Sequence, residues 1–231
     1  MSLIALYENE IVSSDGGAAF DSIQEAILAN SPLYVSAPYY VELLGKKSAL
    51  LAQLETRRAS ILFPLKQNSS FITFTKLLKE RNWTNNGVLR MKRSKTDASQ
   101  SEKSHLVSDL YMIQHSISPI SRISGVSISH ETSNTSHSIF TIRFSTNAIG
   151  HYEHLSSPHV SEGLDLEWSG KEGILEYESE HAQTFKENRN KRYMKKRYLI
   201  DRAVEITPLL KEELQKLTTW VDLNIKHEVR R

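Results

Sequence analysis

The chain has 231 residues, 39% of them hydrophobic and 24% charged, and a formal net charge of +2. That balance suits a globular chain with a real core, and no apolar run approaches the roughly 18 residues a membrane helix needs. There are no cysteines, which removes disulfides, thiolate metal sites and cysteine nucleophiles together and fits a reducing, cytoplasmic setting. The opening stretch, MSLIALYENEIVSSDGG, has no basic segment leading into an apolar run, so a secretory leader is not expected.

In chain order, residues 1–84 read as a mainly helical region. Ser13, Ser14 and Asp15 precede a segment in which Phe20, Ile23, Ile27 and Leu28 recur at helical spacing. A second helix is expected to start near Pro38, which a first helical turn tolerates. It carries Val41, Leu44, Leu51 and Leu54 and ends in Glu55, Arg57 and Arg58. Ile61 to Leu65 reads as a short buried strand broken by Pro64, and Phe71 to Trp83 as a third helix with Phe74, Leu77 and Leu78 inward. Residues 85–106 are polar, poor in large apolar side chains, and hold Arg90, Lys92, Arg93, Lys95 and Lys103. They read as a polar, basic linker or loop.

Residues 107–231 read as β-hairpins followed by C-terminal helices. RISGVSISHE and HSIFTIRFS flank the polar TSNTS, an antiparallel hairpin signature in which His130 and His137 would face each other. GLDLEW, SGKE and GILEYESE form a second hairpin. Thr207 and Pro208 open a last helix with the apolar stripe Leu210, Leu214, Leu217, Val221 and Ile225, running to Val229. The expected fold is α+β: a helical N-terminal third, a small antiparallel sheet of hairpins, and C-terminal helices.

If SGKE is a four-residue loop, Asp165 pairs with Glu176 and Gly163 with Glu178. One face of this hairpin is then nearly all apolar (Leu164, Leu166, Trp168, Leu175, Tyr177) and the other nearly all acidic (Asp165, Glu167, Ile174, Glu176, Glu178, Glu180). Carboxylates opposed at about 4.5–5.5 Å can share a cation; nearby Lys or Arg, or water, could equally neutralise them. An Asp opening one strand, a short turn and Glu-x-Glu on the next strand resembles the PD-(D/E)xK, restriction-endonuclease-like nucleases. Leu164 stands where that family has Pro, and Glu178 where it usually has Lys. The resemblance implies Asp165, Glu176 and Glu178 as catalytic residues, with Mg²⁺ held by Asp165 and Glu176 to activate water.

Residues 181–202 follow with Lys186, Arg189, Lys191, Arg192, Lys195, Lys196, Arg197 and Arg202. On a helix, Arg189, Arg192, Lys195, Lys196 and Arg197 could meet phosphates while Tyr193 stacks on bases. Pairing with the hairpin's own carboxylates is the alternative. His151, His154 and His159 read as a loop beside Ser156, Ser157 and Pro158, with no HExxH pattern for zinc. No GxxxxGK[ST], no GxGxxG after a strand and no GxSxG occurs. The expected function is a metal-dependent nuclease of DNA or RNA, of a restriction or antiviral defence kind. A non-catalytic nucleic-acid-binding subunit of a larger complex is the alternative, a protein-interaction module the third, and a homodimer or larger assembly is a possible state.

Overall fold

A computed structural model describes residues 3–7, 10–13, 18–20, 23–28, 31–46, 49–96, 102–130, 132–177 and 199–230. It divides into two units.

The first unit is built on a six-stranded sheet. Its parallel centre is β1 (Leu3–Tyr7), β4 (Leu33–Ser36) and β5 (Ser60–Leu62), with Ile4 beside Tyr34 and Val35 beside Ile61. β2 (Glu10–Ser13) and β3 (Ala18–Phe20) extend it antiparallel on one side, and β12 (Val204–Glu205) does so on the other. The helix α1 (Ile23–Leu28) leads to β4, and α2 (Ala37–Gly45) and α3 (Leu50–Thr56) lead from β4 to β5. A single turn, α4 (Pro64–Gln67), follows β5. Alternate residues of these strands, such as Leu33 and Val35, are buried, as sheets covered on a face require. Phe63 stacks on Tyr111 with ring centroids 4.7 Å apart.

The second unit carries a seven-stranded sheet in the order β11-β10-β6-β9-β8-β7-β13. Its strands are β6 (Gly87–Lys95), β7 (Ile120–His130), β8 (Thr135–Phe144), β9 (Ile149–Ser156), β10 (Gly163–Gly170), β11 (Gly173–Tyr177) and β13 (Ile225–Arg230). The pairs β6/β9 and β13/β7 are parallel and the rest antiparallel. Two cross-strand rows make the core of one face. They are Ile123–Ile142–Gly150–Leu89–Trp168–Leu175 and Gly125–Phe140–Tyr152–Met91–Leu166–Tyr177. Trp168, Tyr152, Phe140 and Met91 are buried to 2% exposure or less. α5 (Ser69–Glu80) belongs to this unit, while α6 (Glu102–Ser116) and α7 (Pro208–Asn224) lend residues to both.

These sheets correct the expected fold. The N-terminal third contains five strands beside its helices, and the larger sheet is mixed and wide rather than a small set of hairpins. Phe20 ends a strand where a helix was expected, because Ala18 and Phe20 pair with β2. Residues 87–95, within the segment read as a linker, form the strand β6, bonded on both sides. The last helix stops at Asn224, and Ile225–Arg230 pair with β7. Its start and most of its stripe stand as expected: Thr207 Oγ1 accepts from Leu210 N–H at 3.2 Å, and Leu210, Leu214, Leu217 and Val221 are buried, whereas Ile225, also buried, belongs to β13.

Candidate functional site

Within the second unit, the core face changes character along the strands. Beyond the two apolar rows comes Ser127–Ser138–His154–Arg93–Leu164, then Ser129–Ser136–Ser156–Lys95. Strict alternation puts these residues on the same face as Phe140 and Tyr152. Ser127, Ser138, His154 and Ser156 are buried, whereas Ser129, Ser136, Arg93 and Lys95 are half-buried. The strip therefore runs from a closed end to a more open one.

Glu102, the first residue of α6, ties the strip together. Its Oε2 accepts a hydrogen bond from Ser127 Oγ at 3.0 Å, and its Oε1 lies 3.7 Å from His154 Nδ1. The His154 ring also lies 6.4 Å from that of Tyr152, nearly parallel to it. Ser138 Oγ is fully buried and has no hydrogen-bond partner among the described residues. Leaving such a group unsatisfied costs about 1–3 kcal/mol. Near the open end Thr135 Oγ1 donates to Ser157 Oγ at 3.3 Å, and His159 N–H donates to the same oxygen at 3.3 Å. A carboxylate, an imidazole and a row of serines can exchange hydrogen bonds with a ligand rich in hydroxyls, since each hydroxyl both donates and accepts. An imidazole set beside a carboxylate can also take up or return a hydroxyl proton.

The acidic hairpin lies on the opposite face. Its turn is Lys171–Glu172, two residues rather than four, closed by Gly173 in the left-handed region at φ 144°. Glu176 therefore stands opposite Glu167, and Asp165 and Glu176 are diagonal neighbours on one face. β6 supplies the neutralising charge: Lys92 is the register partner of Asp165, and Arg90 is ion-paired with Glu167. Glu178, Arg189, Arg192, Tyr193, Lys195, Lys196 and Arg197 lie outside the described residues. His137 stands opposite Ile128 rather than His130 and bonds Glu153 at 2.9 Å. His151 is exposed on the face opposite to buried His154, so the histidines of this stretch do not converge.

The strip escaped the sequence reading for one reason. Ser156, Ser157 and Pro158 drew residues 151–159 into a loop. The alternation of Tyr152 and His154 with Glu153 and Leu155 was the signal that could have placed His154 inward.

No family model matches the sequence, and no curated protein matches it. Solved structures do share its fold. A myo-inositol dehydrogenase from Corynebacterium glutamicum ATCC 13032 superposes with a TM-score of 0.50 at 13% identity, over 85% of this chain and 62% of that one. GenD2 from gentamicin A biosynthesis, solved in complex with NAD, superposes at 0.50 and 12% identity, over 86% of this chain and 63% of that one. The chain thus spans a little over three fifths of the length of each. What these structures share with the chain is the fold, a Rossmann-like sheet with a parallel centre of three strands in one unit and a mixed seven-stranded sheet in the other.

That likeness overturns the resemblance to PD-(D/E)xK nucleases, and with it the nuclease, nucleic-acid-binding and defence expectations. The expected Mg²⁺ site goes with them: no group of three or more His, Asp or Glu that could hold a metal occurs among the described residues. No helix of the described residues is long and apolar enough to cross a membrane.

A dinucleotide, which GenD2 holds, needs a glycine-rich turn and the free N–H groups of a helix start at the carboxyl end of a parallel strand. The described residues of this chain do not fit that requirement. β1 turns back into antiparallel β2, and the helices after β4 and β5 both begin with a proline in the first turn.

Proposed function

We propose that this chain is a dehydrogenase-type protein that holds a small polyhydroxylated molecule, a polyol or sugar, against the polar strip of its seven-stranded sheet. The observation that carries this is the buried row Ser127–Ser138–His154 with Glu102 bridging its two ends. Such a row is costly in a core unless its hydrogen-bonding capacity is used. One of the similar structures is a myo-inositol dehydrogenase, which supports the same ligand class.

In this assignment Ser138 Oγ and the half-buried Ser136 and Ser129 bind ligand hydroxyls. His154 exchanges a proton with one of them, and Glu102 orients the imidazole while keeping Ser127 in place. Arg93 and Lys95 flank the open end and favour an electron-rich ligand.

Calorimetric titration with myo-inositol and a panel of hexoses tests the assignment. Saturable binding of at least one of them, weakened in Ser138→Ala, is the expected result. No binding across the panel would remove the proposal.

A further inference from the structure

We infer that this chain takes its polyol without a nicotinamide dinucleotide, as a ligand-holding component rather than a self-sufficient hydride-transfer enzyme. The inference builds on the proposed polyol site, but its own support lies in the other unit, at the carboxyl ends of the parallel strands β1, β4 and β5.

Brought to an open parallel sheet, a pyrophosphate docks where a strand ends and a helix begins, on N–H groups with no intrahelical partner. Each of the three exits is closed in a different way. β1 leads into β2, with Ile4 beside Val12 and Ala5 beside Ile11, so its end carries a hairpin instead of a helix start.

β4 does lead into a helix, α2, of nine residues, but the first turn is spent. Pro38 has no N–H to offer, and the Tyr39 N–H is taken by the Ser36 side chain at 3.4 Å. Ala37, Pro38, Tyr39 and Tyr40 are all buried, so this turn is covered by protein where a phosphate would have to sit. β5 leads into α4, only four residues long and again opened by a proline, Pro64.

The glycines follow the same logic. The close backbone approach that a pyrophosphate demands is made possible by glycine. In the described part of this unit the glycine is Gly45, at the far end of α2 from the strand. The seven-stranded sheet meanwhile keeps its hydroxyls, imidazole and carboxylate. The polar strip is thus present, while the described residues of the first unit offer no groups that would hold a dinucleotide.

Titration of the full chain with NADH, followed by nucleotide fluorescence and by energy transfer from the three tryptophans, decides the matter, with myo-inositol as the companion probe. The expected result is no saturable NADH or NAD⁺ signal up to millimolar concentration, and a myo-inositol affinity changed less than twofold by either nucleotide. Stoichiometric micromolar NADH binding, or a tenfold tightening of myo-inositol by NAD⁺, would overturn the inference. Failure of myo-inositol and every hexose to bind would remove the polyol proposal alone, because the nucleotide arm reads out independently.

Discussion

Ser138 stands directly opposite His154 in the antiparallel register of β8 and β9, and both side chains are buried on the core face of the sheet. Two residues further along each strand toward the core centre, the same register sets Phe140 against Tyr152, stacked at 5.8 Å. One pleat therefore separates a conventional aromatic core from a polar pair that the same backbone carries into the interior.

Ser138→Ala separates the two roles. The hydroxyl has no partner among the described residues, so its removal should leave folding stability unchanged or slightly raised. A hydrogen bond to a ligand is worth about 1 kcal/mol, so polyol binding should weaken roughly fivefold. Thermal melting and calorimetry on the same preparation check both halves.

Glu102 should behave in the opposite way. Glu102→Ala strips Ser127 of its acceptor and His154 of its neighbouring carboxylate. Unfolding in urea should then show a loss of about 1–3 kcal/mol. Glu102→Gln retains an acceptor for Ser127 and should lose less.

Gly87→Ala tests whether β6 is a central strand rather than a linker. A Cβ at Gly87 would fall on the Trp168 indole, which is buried at 1% exposure. Forcing that overlap should destabilise the protein by about 1–3 kcal/mol in denaturant unfolding. A residue in a solvated linker would tolerate the change within about 0.5 kcal/mol.

On the opposite face, Glu176→Gln should alter stability by no more than about 0.5 kcal/mol, since it relieves Glu176 facing Glu167 in an exposed setting. Polyol affinity, measured by calorimetry, should not change.

Alkaline pH provides a separate handle on the first unit. Burial first, and then the charge of Glu55, raise the Tyr40 phenol from 10.0 to about 12. Folding therefore favours the neutral phenol. This contribution is complete below pH 10.0 and is lost as pH rises toward about 12. Tyr40→Phe, which forfeits no hydrogen bond within the described residues, should make stability fall less steeply over that interval.

The sequence made some of this visible through local chemistry. As far as Tyr177, where the described part of the second hairpin ends, its faces follow the alternation although its register was off by two residues, because a slip of two preserves which side each residue occupies. The α7 stripe was likewise plain at its 3.6-residue spacing. β6 was hidden because Arg90, Lys92, Arg93 and Lys95 gave its segment the composition of a linker, while the alternating Leu89 and Met91 were only two residues. β6 pairs with β9 and β13 with β7 in parallel register across distant parts of the chain, and local periodicity holds no record of such pairings. Glu102 was unreadable for the same reason: it meets Ser127 and His154 only after the sheet has assembled.

The most direct measurement is the imidazole NMR signal of His154 during a myo-inositol titration, with His151, exposed on the opposite face of the same strand, as the internal reference. A ligand in the polar strip should move the His154 resonances saturably and leave those of His151 in place. Unmoved His154 signals in the presence of a bound polyol, or movement confined to His151, would contradict the site.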